Sequence, residues 1–335
     1  MPNSVSIGSL KAEPGTRNFG MAKVSETATY DVDIPVMIVN GKRDGPTLCL
    51  TGGTHPVEYP GIEAVIRIAN KLDPNTLRGT LIGIPIMNVP GFQAKSPDCP
   101  LDNTNLNRIF PGKPEGSAGP AIADFVTKEV LSKATYYVDC HGANLGEVSP
   151  NHMICYEVGK KKVDEDALSI CKCFDTEYVR VYKPAKTEMQ ARSPLLEASL
   201  KDIPSALTEA GSVGGLSSTT GMLEENDVTW LCDGITNVMR HFGMLDGHAK
   251  LASPKIITEW VELRAPCGGL FYLTTRIGTR VQKGQVVGEI RDCFGQTRAT
   301  LKAPFEGLVS LVQYHLAVDR GRHLVQLFNL ETARS

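Results

Sequence analysis

Apolar runs alternate with amphipathic segments along the first three quarters of the chain. The runs are rich in aliphatic and β-branched residues and are bounded by glycine, proline or polar residues, which is typical of buried strands. They predict strands at 33–41, 47–53, 81–89, 135–141, 152–158, 178–184 and 204–211. Helical spacing of apolar residues predicts helices at 59–72, 121–131, 163–173, 193–201 and 222–242. This order indicates an α/β fold, with a sheet flanked by helices.

The pattern changes after Ser253, where short β-rich pieces with closely spaced turns replace the helical segments. We therefore predict a catalytic α/β domain over 1–253 and a smaller all-β domain over 254–335. Within the second, G-T-R-V-Q-K-G-Q-V-V-G-E-I followed by K-A-P-F-E-G-L-V resembles the barrel-sandwich fold of biotinyl and lipoyl carriers. The Met-Lys-Met turn of a carrier is missing, so the resemblance implies no attached prosthetic group.

The composition of the 335 residues is that of an ordinary globular protein, with 41% hydrophobic and 21% charged residues and a net charge of -2. This charge argues against a nucleic-acid partner. The first residues lack the charged and apolar regions of a signal peptide, and no apolar run is long enough for a membrane span, so we expect a cytoplasmic protein without a membrane partner. The nine cysteines are scattered without a metal-knuckle spacing, which is typical of buried thiols.

Two of the predicted strands end in histidine and carboxylate residues. His55 and Glu58 follow the strand at 47–53 in a glycine-rich turn that leads into a helix, and their i, i+3 spacing can place both on one side. Asp139 and His141 end the strand at 135–141, and two residues apart they point the same way. Strand ends are where open α/β sheets place their sites, and neutral imidazole with carboxylate suits zinc. Asp139 could then accept the second N–H of His141 and orient its ring.

Two other segments carry polar groups suited to substrate binding and proton transfer. The loop P-L-D-N-T-N-L-N-R-I-F-P-G contains Asn107 and Arg108, and a guanidinium matches a carboxylate. Glu209 ends an apolar strand in A-L-T-E-A-G, where a carboxylate could move a proton. Each residue alone has a structural explanation: Glu58 could favour a helix N-terminus and Arg108 could form a surface ion pair. The functional interpretation rests on the whole set.

In this order, G-G-T-H-P-V-E-Y-P-G, N-L-N-R-I-F-P-G, V-D-C-H-G and T-E-A-G resemble the succinylglutamate desuccinylase/aspartoacylase family, which is related to the zinc carboxypeptidases. The resemblance spans residues 45 to 330. It implies a zinc-carboxypeptidase-like mixed sheet and one zinc ion per chain, held at the positions of His55, Glu58 and His141. It further implies a catalytic base at Glu209, substrate-carboxylate contacts from Asn107 and Arg108, and a C-terminal β domain that narrows access to the site.

The sequence departs from the family pattern at two arginines. Relatives place an arginine shortly before the Asn-Arg pair to polarise the scissile carbonyl, but Lys95 is the one cation between Gly79 and Asn107. Lys95 could substitute, or the carbonyl could rely on the metal. Relatives also have a substrate-binding arginine before the catalytic glutamate, and Arg192 is the nearest candidate here.

The sequence therefore predicts a zinc-dependent hydrolase that cleaves an amide bond in a small carboxylate-bearing molecule, such as an N-acyl amino acid. A zinc carboxypeptidase for short peptides and a non-catalytic metal-binding relative remain as alternatives. A serine hydrolase is disfavoured because no G-x-S-x-G motif is present. The identity of the acyl and amine groups is open, as is assembly into a homo-oligomer.

Overall fold

The computed structural model of the protein describes residues 2–190, 192–211, 215–216, 222–313 and 315–334. Its helices are α1 (Tyr59–Lys71), α2 (Val89–Ala94), α3 (Ala118–Phe125), α4 (Lys161–Lys172), α5 (Pro194–Leu200) and α6 (Glu225–His241). Its strands up to the central part of the chain are β1 (Val5–Ile7), β2 (Leu10–Ala12), β3 (Thr16–Glu26), β4 (Asp31–Asn40), β5 (Arg43–Gly52), β6 (Arg78–Ile84), β7 (Tyr136–Gly142), β8 (Glu147–Val148), β9 (His152–Tyr156), β10 (Tyr178–Tyr182) and β11 (Ser205–Ala210). The later strands are β12 (Lys255–Ile257), β13 (Trp260–Arg264), β14 (Gly269–Leu273), β15 (Arg280–Val281), β16 (Val286–Arg291), β17 (Thr297–Lys302), β18 (Gly307–Gln313), β19 (Ala317–Val318) and β20 (His323–Asn329).

A mixed sheet forms the centre of the fold. In the described part of the chain its nine strands follow the order β12-β10-β9-β11-β7-β5-β6-β4-β3. Strands β6, β5, β7 and β11 are mutually parallel, whereas β9 runs antiparallel to β11 and β4 runs antiparallel to β6. The predicted α/β fold with a mixed sheet is therefore confirmed.

Both faces of this sheet are covered by helices, which explains why its central strands are continuously apolar. Successive side chains of β5 point to opposite faces. Leu48 and Leu50 pack with Val65 of α1 in one core cluster, whereas Cys49 packs with Ile122 of α3 in the other. All three β5 residues are fully buried, so both faces of the strand are packed in the core.

Two predicted boundaries differ from the structure. The strand predicted at 81–89 is too long, since β6 ends at Ile84 and the short helix α2 begins at Val89. Pro85 follows directly, and a proline has no N–H to donate to a sheet ladder. The N-terminal strands β1, β2 and β3 had no prediction, because their residues are largely half-buried or exposed and carry no apolar run.

The C-terminal strands form two antiparallel sheets, in agreement with the predicted β-rich character of this segment. The first contains β13, β20, β18 and β15, and the second contains β17, β16, β14 and β19. Strand β12 does not belong to them, since it pairs in parallel with β10 at the edge of the central sheet. Conversely, strand β8, which follows β7 in the chain, pairs with β18 of the first C-terminal sheet. This pairing joins the C-terminal sheets to the segment after β7.

Among the described residues, no helix is both long enough and apolar enough to cross a membrane.

Candidate metal and catalytic site

The candidate site lies at the carboxyl ends of β5, β7 and β11. In the strand register Thr51 is opposite Asp139, and Glu209 is opposite His141. Because the three strands are parallel, the residues that end them reach the same edge of the sheet. His55 lies in the turn just beyond β5, so these residues gather at one place although they are far apart in sequence.

A tight turn places His55 and Glu58 over the end of β7. Gly53 has a φ of 61°, a left-handed conformation that glycine adopts without strain. Glu58 is the residue immediately before α1. Helix α1 lies so close to β7 that a Cβ on Gly61 would be 2.2 Å from the carbonyl oxygen of Cys140. Glycine at this position lets the helix bring Glu58 next to His141.

His55, Glu58 and His141 form a cluster with the geometry of a metal site. Their ligand atoms all lie within 4.8 Å of one another. The Nδ1 atoms of both histidines face the same carboxylate, at 3.0 Å from Glu58 Oε1 for His55 and 2.9 Å from Glu58 Oε2 for His141. The rings are 5.0 Å apart and nearly perpendicular. The structure thus brings together the three residues that the sequence predicted as metal ligands.

Electrostatics in this cluster favour the charged form of Glu58. Burial by itself raises the pKa of a carboxyl group, but the adjacent His141 and His55 outweigh it and lower the pKa of Glu58 to about 2. Burial likewise opposes a charged imidazole, yet Asp139 and Glu58 raise the pKa of His141 well above its usual value. Two carboxylates around one buried imidazole form an environment that attracts positive charge.

The second ring nitrogen of each histidine also has a partner. His141 Nε2 is 3.0 Å from Asp139 Oδ2, and His55 Nε2 is 3.2 Å from Asn105 Oδ1. Asp139 is fully buried and its other oxygen accepts hydrogen bonds from the hydroxyls of Thr51 and Thr54. These contacts hold each ring with its Nδ1 directed at Glu58, as expected for metal-ligating histidines.

Asp139→Asn should weaken metal binding by about ten- to hundredfold, because the amide orients His141 less strongly and lowers its basicity. Metal affinity measured with a competing chelator tests this, and activity should recover at saturating metal. Asp246→Asn is the control, since Asp246 is exposed and pairs with Arg78 at 2.7 Å on the surface. Equal affinity in the wild type and Asp139→Asn would contradict this role.

Glu209 faces the same cavity as the histidine cluster. This cavity of about 650 Å³ is lined by Glu209 together with His55, Glu58 and His141. Burial, followed by the negative charge of Glu58, raises the pKa of Glu209 to about 8. In the described residues its carboxylate has no hydrogen-bond or ion-pair partner, so the group is available to exchange a proton. The glycine-rich turn predicted after it includes residues 212–214, which lie outside the described residues.

Asn107 and Arg108 also border this cavity. They lie in a single 3-10 turn, Leu106–Arg108, which Asn105 caps by accepting a hydrogen bond from the Asn107 backbone N–H. Oδ1 of Asn107 is buried and has no hydrogen-bond partner among the described residues. Arg108 is exposed and donates one hydrogen bond to the carbonyl of Asn107. An unsatisfied amide beside a guanidinium is suited to a polar ligand.

Lys95 and Arg192, the other two candidates, are not in the cavity wall. Lys95 is an exposed residue with a φ of 55° that ends α2. Arg192 forms an ion pair of 2.6 Å with buried Glu197, and its carbonyl accepts a hydrogen bond from Phe110 N–H. Arg192 therefore joins α5 to the Asn-Arg loop, and both its side chain and its backbone are engaged in that contact.

Sequence patterns did not identify several polar residues that line the site. Glu147 lies on β8, where burial raises its pKa, and it accepts a hydrogen bond from Gln313 of β18 at 2.8 Å. Arg322 donates to the same Gln313 side chain at 2.8 Å. All three line the cavity, so the C-terminal sheets form part of its wall. Arg180 of β10 was likewise not identified, and it lines a smaller cavity of about 240 Å³ whose lining also includes Glu209.

A sequence profile described as the succinylglutamate desuccinylase/aspartoacylase catalytic domain matches residues 44–241. The chain is also similar to the N-alpha-acetyl-L-2,4-diaminobutyric acid deacetylase of Halomonas elongata, with 28% identity over 304 residues, 88% of this chain and 85% of the relative.

Solved structures with this fold include a succinylglutamate desuccinylase/aspartoacylase from Rhodobacter sphaeroides. It has 25% identity and a TM-score of 0.82, over 93% of this chain and 95% of that chain. The product-bound ectoine utilization protein EutE (DoeB) from Ruegeria pomeroyi has 24% identity and a TM-score of 0.85, over 98% of this chain and 100% of that chain.

Proposed function

The chain belongs to the succinylglutamate desuccinylase/aspartoacylase family, and from that premise we propose that it is a zinc-dependent deacylase of small N-acyl amino acids. The observation that carries the proposal is the cluster of His55, Glu58 and His141 in one cavity with Glu209. The Halomonas elongata relative, named as a deacetylase of an N-acetyl amino acid, supports the same reaction class.

The donor set of the cluster fits zinc. Two imidazoles and one carboxylate are ligands that zinc accepts, and three protein ligands are typical of catalytic zinc sites. The second-nitrogen contacts of both histidines support this assignment, because ligating histidines usually have such partners. When bound, zinc supplies Lewis-acid chemistry, which acidifies water and polarises a carbonyl group.

We assign proton transfer to the Glu209 carboxylate. It accepts a proton from the attacking water and donates a proton to the nitrogen of the leaving amine, so that water and amide become carboxylate and amine. Its carboxylate has no hydrogen-bond or ion-pair partner in the described part of the chain, which leaves it free for both steps. A cation in the neighbouring cluster favours the deprotonated form of Glu209 from which the cycle begins.

Asn107 and Arg108 are assigned to the substrate carboxylate. Arg108 borders both the cavity at the histidine cluster and an adjoining cavity of about 240 Å³. When Arg108 binds the substrate carboxylate, the amide bond is held near Glu209. The reacting groups are then already oriented, which lowers the entropic part of the barrier. Gln313 and Arg322 line the same cavity, and we infer from this that the C-terminal domain narrows access to the site.

The test is amine release from a panel of N-acetyl and N-succinyl amino acids, with free and C-terminally amidated dipeptides alongside. We expect cleavage of N-acyl amino acids that carry a free carboxylate, and at least tenfold lower kcat/KM for the matched C-terminal amides, because the charge-assisted contact to Arg108 is lost. Preferential cleavage of dipeptides would support a carboxypeptidase instead. Inactivity on all substrates in zinc-replete protein would count against the proposed function.

A further inference from the structure

A second cavity opens beside Glu209 on the face of the central sheet. It is lined by alternate residues of neighbouring strands, among them Leu207 of β11, Ile154 and Tyr156 of β9, and Arg180 and Tyr182 of β10. In the strand register Leu207 and Arg180 are both paired with Ile154, and Tyr156 is paired with Tyr182. Since Glu209 and Arg108 also line it, this cavity adjoins the reacting groups and has room for a small side chain.

Arg180 is a buried cation that forms no ion pair with any residue that the structure describes. Its exposed fraction is 6%, and its Nε has no hydrogen-bond partner. Its guanidinium carbon lies 4.6 Å from the ring centre of Trp260, 4.9 Å from that of Tyr182 and 5.6 Å from that of Phe328. The rings hold the guanidinium in place, and no described carboxylate is within ion-pair distance of it. Burying an unpaired charge is costly, so a ligand anion in this cavity would be strongly stabilised.

Glu188 provides the opposite charge in the same cavity wall. Its carboxylate accepts hydrogen bonds from the Tyr156 hydroxyl and from the Ala185 backbone N–H, both at 2.9 Å. These neutral donors orient the carboxylate but leave it without a cationic partner in the described part of the chain. The lining therefore carries two positive charges, those of Arg180 and Arg108, together with the negative charge of Glu188.

On the basis of the proposed function, we propose that this cavity selects N-acyl diamino acids, with Glu188 binding the side-chain ammonium and Arg180 sharing the substrate carboxylate with Arg108. The charges of the lining complement a molecule that carries one carboxylate and one ammonium group. An uncharged side chain would leave Glu188 unpaired, and an acidic side chain would be repelled by it. The substrate named for the Halomonas elongata relative, an N-acetylated diaminobutyric acid, has this charge pattern.

The first experiment measures binding without turnover. Calorimetric titration of the Glu209→Gln variant with N-acetyl-L-2,4-diaminobutyrate and with N-acetyl-L-norvaline compares two ligands that differ mainly by one ammonium group. We expect about ten- to hundredfold tighter binding of the diamino compound, as for a hydrogen bond between charged groups. N-acetyl-L-glutamate should bind more weakly than both. Equal binding of the three ligands, or a preference for the acidic one, would overturn the proposal.

The second experiment assigns the preference to Glu188. Adding Glu188→Gln to the Glu209→Gln variant should remove the preference for the diamino ligand. The affinity for N-acetyl-L-norvaline should stay within about twofold of that of Glu209→Gln, because only the charged contact is lost. Glu157→Gln is the matched control, since Glu157 follows Tyr156 in sequence but is exposed and faces Lys183 at 3.6 Å. An unchanged preference in Glu188→Gln would refute the assignment.

The role of Arg180 is tested by comparing ligands that have a free carboxylate with their C-terminal amides. Arg180→Lys keeps the charge but loses the planar fork, and it should weaken the binding of free-acid ligands while leaving that of their C-terminal amides unchanged. A thermal melt shows whether the variant is folded, and a loss that is equal for acids and amides would contradict the assignment. These experiments measure binding and not turnover. If the wild-type enzyme were inactive but the protein still bound the diamino ligand more tightly, the proposed reaction would be disproved and the proposed selectivity would stand.

Discussion

Glu209→Gln should lower kcat by about 10²- to 10⁴-fold, the usual contribution of general acid–base catalysis, with zinc content and melting temperature close to those of the wild type. Glutamine has nearly the shape of glutamate but cannot accept and return a proton. We expect the site to tolerate the change, because the Glu209 carboxylate makes no hydrogen bond or ion pair with a described residue that glutamine would disrupt. Steady-state kinetics with metal analysis of the same sample provide the measurement.

The matched control for this variant is Glu147→Gln. Glu147 lines the same cavity and burial raises its pKa as well, but its carboxylate is engaged by Gln313. We expect a much smaller effect on kcat for Glu147→Gln. If Glu209→Gln kept full activity and Glu147→Gln lost it, the catalytic base would have to be reassigned to the β8 residue.

His141→Ala should abolish turnover and lower zinc affinity by more than about hundredfold, which exceeds the effect expected for a residue that only orients a ligand. The variant removes one of three ligands and leaves Glu58 and Asp139 without the imidazole between them. Chelation of the wild-type enzyme should give the same loss of activity, and zinc should restore it in the wild type alone.

Because His141 is buried within a central strand, the variant could also lose stability. His55→Ala provides an independent test, since His55 lies in the turn after β5 and its side chain is 15% exposed. His248→Ala, which alters an exposed histidine, is the control. Full activity of both His55→Ala and His141→Ala after exhaustive chelation would refute zinc dependence.

Local sequence spacing was sufficient to predict that His55, Glu58 and His141, the proposed metal ligands, come together. Asp139 and His141 alternate along one strand, so their shared direction follows from the two-residue period of a β-strand. His55 and Glu58 are neighbours across a single turn. Each pair depends on backbone geometry over a few residues, and such geometry can be read without knowledge of the rest of the fold.

Local sequence spacing was not sufficient to predict which isolated residues line the site. Arg192 was a candidate because it precedes Glu209 in sequence, but its side chain pairs with Glu197 of α5. Arg180 is flanked by valines in an apolar strand and has no motif around it. It reaches the cavity because β10 is placed two strands from β11, with β9 between them. The order of strands in a sheet depends on contacts between distant segments, which no local pattern encodes.

The sequence by itself determined the α/β class, the β-rich C-terminal segment and the residue pairs that lie on either side of the proposed zinc position. Each of these follows from the period of apolar residues or from the chemistry of adjacent side chains. The tertiary structure alone decided that β8 pairs with β18, which brings Glu147 and Gln313 into the cavity, and that Arg180 and Glu188 line one cavity together with Glu209. Strand pairing and burial between distant segments are set by the packing of the whole core, and for this reason the charged residues of the proposed selectivity pocket could be located only in the folded chain.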